Sequence, residues 1–184
     1  MNNFIQKTTF LRYIGKRWFR EPQPPRKLLI KNTQKVMNRL DIPQGRTRNE
    51  TQQREKIIKN FYASWNATNP EKRVYNANLQ AFIYIKFLSI QETAEKSARS
   101  YKSTIAVTYL TEILELATVV KRTKPKPGNK KQSRFSDVII MHYDKEDFGE
   151  IKLTVGVLRG SGTNVQYCVT AIEKTIVQPA TNTQ

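Results

Sequence analysis

An imidazole, an ammonium group and a hydroxyl in one row would combine proton exchange near neutral pH with anion binding and hydrogen bonding. The chain holds one histidine, His142, and the strand pattern around it decides which side chains can join it. Residues 137–173 read as three short strands, DVIIMHY, EIKLTVGVL and NVQYCVTAIE, joined by two turns. In the middle strand Ile151, Leu153, Val155 and Val157 alternate with Lys152, Thr154 and Gly156, the period of a half-buried strand. In the third, Val165, Tyr167, Val169 and Ala171 alternate with Gln166, Cys168 and Thr170. Bringing the apolar sets together pairs Gly156 with Gln166, Thr154 with Cys168 and Lys152 with Thr170. The same rule sets His142 opposite Lys152, Met141 opposite Leu153 and Tyr143 opposite Ile151. A slip of one pair puts Ile140 beside Lys152 instead, and in either register the three side chains also read as an ordinary solvated sheet face with an exposed lysine, a threonine and a surface histidine.

Two turns must hold this register. Arg159-Gly160-Ser161-Gly162 supplies the glycines a hairpin needs for positive φ, and DKEDFG joins the first two strands. Cys168 is the one cysteine, so no intramolecular disulfide and no thiolate metal cage can form, and with only one histidine to add the composition speaks against a zinc site. Between Tyr167 and Val169 the thiol reads as a packing residue; a nucleophilic role needs a base, for which His142 is the one histidine.

Charge divides the remainder of the chain. The net charge is +17, and the first 48 residues carry 12 basic and 2 acidic side chains. Residues 119–136 carry 7 basic and no acidic ones, whereas 137–184 carry 4 and 6, so the excess lies outside the sheet. Such blocks point to a polyanion, RNA or DNA, or else to a solvated basic linker.

We read the chain as α+β: helices followed by a small antiparallel sheet of three to four strands. Residues 1–48 form a basic, aromatic-rich arm in which Arg12, Lys16, Arg17 and Arg20 interleave with Phe10, Tyr13, Trp18 and Phe19. Cations for phosphates and rings for bases suit single-stranded nucleic acid; the same arm suits an anionic membrane surface. The domain, 49–184, starts on a capping box, Thr47 with Glu50. A helix from about Asn49 to Trp65 stripes Ile57, Ile58, Phe61, Tyr62 and Trp65 along one side, with Arg54 off the stripe. Tyr84 to Leu88 reads as strand, and two helical stretches carry the mainly helical part to 118. Between them Arg99, Ser100, Tyr101, Lys102 and Ser103 offer anion donors near a helix start, as any polar junction does. Residues 119–136 read as an extended basic linker, with Lys121, Arg122, Lys124, Lys126, Lys130, Lys131 and Arg134 as a phosphate rail. Residues 174–184 read as a tail.

Helices followed by a compact antiparallel sheet centred on KLTVGVLRGSGTNVQYCVTAI resemble the small phage and mobile-element nucleases of the barnase, EndoU, colicin and RelE-like superfamily, over Glu92 to Glu173. The resemblance implies a metal-independent ribonuclease without cofactor, a helix packed on a four-stranded sheet, and transesterification at phosphorus. His142 would then be base or acid, Lys152 and Arg159 would hold the phosphate, and Thr170 would orient it. The alternative is a non-catalytic nucleic-acid-binding protein, or a structural or assembly protein whose partners are other proteins of a phage or mobile element. No stretch has transmembrane length and the basic start lacks an apolar signal core, so the expected location is cytoplasmic, or virion for a phage protein.

Overall fold

The computed structural model describes residues 41–173, which belong to the second of two compact units, Val36–Gln184. The arm residues Arg12, Lys16, Arg17, Trp18 and Arg20, and the tail, lie outside the described residues. Helix α1, Arg48–Thr68, begins where the sequence signals it: Thr47 accepts from the Glu50 amide while the Glu50 carboxylate accepts from the Thr47 amide. Ile58, Tyr62 and Trp65 are buried along its inner side. Arg54, off the apolar stripe in the sequence, is fully buried as well. Its guanidinium donates to the carbonyls of Ala98, Pro43 and Gly45 at 2.6, 2.8 and 2.8 Å. The domain thus begins ahead of residue 49, since Ile42 is buried too.

The next segment corrects the expected strand at Tyr84 to Leu88. A short hairpin, β1 (Arg73–Asn76) and β2 (Ala81–Tyr84), precedes helix α2 (Phe87–Ser97), which Phe87 and Leu88 already belong to. Asn76 is buried and donates to the carbonyls of Leu114 and Ala117, closing the end of helix α4 (Leu110–Leu116). Helix α3, Tyr101–Val107, lies between α2 and α4.

Strand β3, Thr118–Thr123, replaces the first third of the expected linker. It forms one edge of the sheet and is exposed almost throughout, so it has no period of two for a reader to find. Strands β4 (Phe135–Lys145), β5 (Gly149–Leu158) and β6 (Asn164–Ala171) follow. The sheet is six-stranded and mixed, in the order β1-β2-β6-β5-β4-β3, with β2 parallel to β6 and the other pairs antiparallel. The α+β class therefore holds, with two to three more strands than expected and one parallel pairing.

The helices cover one face of this sheet. Ile139, Met141, Ile151, Leu153, Val155 and Val169 meet Ile58, Tyr62, Trp65, Ala106, Leu110 and Ile113 there. The parallel contact of β2 reaches only Asn164 and Val165, so most of β6 has no strand on that side. Hydroxyls close the gap: Ser89 donates to the Gln166 carbonyl at 2.5 Å, Ser97 to the Val169 carbonyl, and Ser103 accepts from the Ala171 amide at 3.1 Å. Helices α2 and α3 thereby satisfy an edge that would otherwise be buried without partners.

Candidate functional site

The register at the middle of the sheet is the one that parity dictates. His142 lies opposite Lys152, Met141 opposite Leu153 and Tyr143 opposite Ile151. Lys152 lies opposite Thr170 and Thr154 opposite Cys168. A β-bulge at Tyr167 then shifts the first part of β6, so Val155 faces Gln166, and Gly156 faces Val165 rather than Gln166. The expected core set of Val165 and Tyr167 is thereby corrected. Gln166 turns to the helix side instead, where it accepts from Tyr62 Oη at 2.9 Å and donates to Thr93 at 2.8 Å.

The row of His142, Lys152 and Thr170 stands on the face opposite the helices, extended by Thr118, which pairs with His142 from β3. Side chains directly opposite each other hold their Cβ atoms about 4.5–5.5 Å apart, so each neighbour in the row is within contact range. Glu150, two residues before Lys152, shares this face, and its carboxylate meets His142 Nδ1. Both side chains stay about 28–29% exposed. With Nδ1 engaged, Nε2 is the nitrogen through which the imidazole can exchange a proton with a ligand. Lys152 forms no ion pair among the described residues, and Lys121, paired with Ile140, adds a second ammonium to the same face. Glu150 is the member of this row's surroundings that sequence reading leaves out. Its signal is the same parity: position 150 shares the face of 152 and lies diagonal to 142.

Arg159 does not join this row. It lies seven residues beyond Lys152, roughly 23 Å along an extended chain, where its Nε donates to the Ser133 carbonyl at 3.0 Å. The structure groups it with the basic segment instead. Residues 124–134 fold back over the sheet end, so the second part of the expected linker is an ordered loop with a 3₁₀ turn at Lys130–Gln132. Lys124, Lys126, Lys130, Asn129, Ser133, Ser136 and Arg159 line an open depression of about 690 Å³. Lys124 there pairs with Asp137 at 3.0 Å. Lys126 and Lys130 form no ion pair among the described residues.

The remaining expected cations divide between structural and open positions. Lys131 reaches Glu92 at 2.7 Å and Glu95 at 2.5 Å, tying the loop to α2. Burial pushes the Glu92 carboxyl up, but Lys131, Tyr167 and Lys96 outweigh it and leave it below the usual carboxylate value. Arg99 pairs with Glu95 at 3.6 Å, and Lys102 lies 5.5 Å from the Phe148 ring centre near the β4–β5 turn. Ser100 caps α3 and Ser103 is bonded to β6, so this junction uses its hydroxyls within the fold. Arg122 is exposed on β3, and Arg134 is exposed beside the start of α2.

Cys168 is buried in a small cluster with Phe135, Val138 and Tyr167, and burial pushes its thiol up to about 11. It is a packing residue and no thiolate nucleophile near neutral pH. Among the described residues, no three His, Cys, Asp or Glu side chains gather into a metal-holding group, and no helix is long and apolar enough to cross a membrane. No protein-family model, no curated protein and no solved structure matches the chain.

Proposed function

We propose that this protein is a nucleic-acid-associated, metal-independent endoribonuclease of the phage or mobile-element type, acting on the open sheet face. The observation that carries the reading is the carboxylate of Glu150 on Nδ1 of a histidine flanked by Lys152 and Thr170. In such a site His142 takes the ribose 2′-hydroxyl proton as that oxygen attacks phosphorus. Glu150 stabilises the imidazolium that forms, as a carboxylate behind a histidine base does. Lys152 neutralises charge gathering on the phosphate oxygens, and Thr170 holds one of them by a hydrogen bond. The P–O5′ bond breaks and the leaving oxygen takes its proton from water. Arg159 is too far away to hold that phosphate; with Lys126 and Lys130 it suits a more distant part of the same strand. The reading goes with a cytoplasmic or virion location.

The test is incubation of the protein with labelled single-stranded RNA in EDTA, beside His142→Ala. Cleavage that leaves cyclic-phosphate ends and falls by roughly 10²- to 10⁴-fold in the variant, with RNA binding retained, supports the assignment. A second reading, nucleic-acid binding without turnover, is favoured by the basic depression, which offers cations but no proton-exchanging group. RNA that is bound but left intact by the unaltered protein would select it.

A further inference from the structure

The β1–β2 hairpin carries a second set of rings and cations that the His142 row does not use. Val74, Asn76 and Ile83 are buried on one side of it, and the pairs Arg73–Tyr84 and Tyr75–Phe82 occupy the other. Tyr75 is 50% exposed and Phe82 40%, with their ring centres 5.4 Å apart. Arg73 lies over Phe82 at 4.3 Å and donates to Tyr84 Oη at 3.2 Å, while Glu71 holds its Nε at 2.9 Å. The guanidinium plane is thus fixed among the rings. Phe87, at 72% the most exposed large apolar side chain among the described residues, follows two positions after the hairpin strand's neighbour Ile85.

Phe87 also borders a cleft of about 380 Å³ whose walls are Leu88, Leu158 and Val165 and whose cations are Lys86 and Arg134. No carboxylate lines it. Tyr84 pairs with Val165, so β2 and one wall of the cleft are neighbours in the sheet. Aromatic groups this exposed are costly to leave in water, and Phe87 beside Lys86 and Arg134, which form no ion pair among the described residues, suits a ligand with flat apolar faces and regular negative charge.

We infer that the outer face of β1–β2, together with Phe87 and its cleft, is a stacking platform for unpaired nucleotides of RNA. Bases lie on Tyr75, Phe82 and Phe87, and Lys86 and Arg134 meet the phosphates between them. This inference rests on the nucleic-acid reading above but not on turnover at His142.

The experiment measures binding of a short single-stranded RNA carrying a fluorescent adenine analogue to the full chain, to Tyr75→Ala/Phe82→Ala and to Phe87→Ala. Thermal melts, unchanged for exposed positions, check folding. Expected are quenching of the analogue by the unaltered protein, loss of quenching in the variants, and affinity lower by roughly 10- to 100-fold. The slope of log affinity against log salt stays the same, because no phosphate contact is removed, and falls in Lys86→Ala/Arg134→Ala. Duplex RNA of equal length binds the aromatic variants as tightly as the parent. Single-stranded affinity unchanged in the aromatic variants would overturn the platform and leave the rings to a protein partner. An equal loss for duplex RNA would overturn it too. Absence of cleavage by the unaltered protein would instead strike the nuclease reading, with the stacking result standing apart.

Discussion

Glu150 engages His142 from a diagonal position across β4 and β5, while Lys152 stands directly opposite the same ring. A carboxylate on Nδ1 fixes the tautomer and the ring's orientation, and an adjacent ammonium draws an anion to the free nitrogen. Two alternate residues of one strand thus equip a histidine on the next, which only an unslipped register permits.

Glu150→Gln keeps the shape of that contact and removes its charge. The proposed turnover should fall by roughly 10- to 100-fold with KM for RNA little changed, since the imidazolium is favoured only during reaction. Glu150→Asp should recover part of the loss. Equal activity of Glu150→Gln and the parent in steady-state kinetics would remove Glu150 from the mechanism.

Arg54 is a structural cation. Arg54→Met should cost roughly 1–3 kcal/mol in urea unfolding, because the buried Ala98 carbonyl and the part-buried Pro43 and Gly45 carbonyls lose charged donors. Arg54→Lys should rescue little, since a single ammonium cannot span carbonyls that a planar fork reaches from several nitrogens.

Glu92 links acid stability to the loop at 124–134. Its carboxyl is held below its unfolded value, so it stabilises the fold above the unfolded value, and that contribution is lost as pH falls through the folded one. Thermal melts from neutral to acid pH should show this loss in the parent and a flatter profile in Glu92→Gln. Identical profiles would mean that the Lys131–Glu92 pair does not govern the loop's attachment.

Gly156 lies against the ring of Phe135, where an added Cβ would approach to 2.5 Å. Gly156→Ala should destabilise by about 1–3 kcal/mol, with part of the loss recovered when Phe135→Leu is combined with it. Additive effects in the double variant would show that the two positions do not share space.

Cys168 should react slowly with alkylating reagents at neutral pH, given a thiol pushed up to about 11 and buried. Full reactivity should return in urea. Rapid labelling of the folded protein would contradict the packing role.

The elements that carry a strong period were legible. The Thr47–Glu50 capping box and the face alternation of β5 led to the α1 start and to the pairing of His142, Lys152 and Thr170. The four-residue strands β1 and β2 are too short to show a period, and exposed β3 has none. A bulge is invisible to parity, so parity alone puts Gln166 on the wrong face. Nothing local marks Arg54 as buried, because its partners are backbone carbonyls brought in by tertiary packing. Arg159 has the right chemistry for a phosphate and the wrong distance, which a residue type alone does not reveal.

The hydroxyl-sealed edge of β6 bears on how the chain is made. Among the described strands β6 is synthesised last, yet it sits third in the six-stranded order and receives Ser89 and Ser97 from more than seventy residues earlier. On the ribosome the helices therefore emerge with their serines and apolar sides unmatched, and wait for β6 to close the core. Such a chain has high contact order and a late commitment to its fold, and a product that stops short of Asn164 should collect with chaperones or aggregate instead of persisting as a smaller domain.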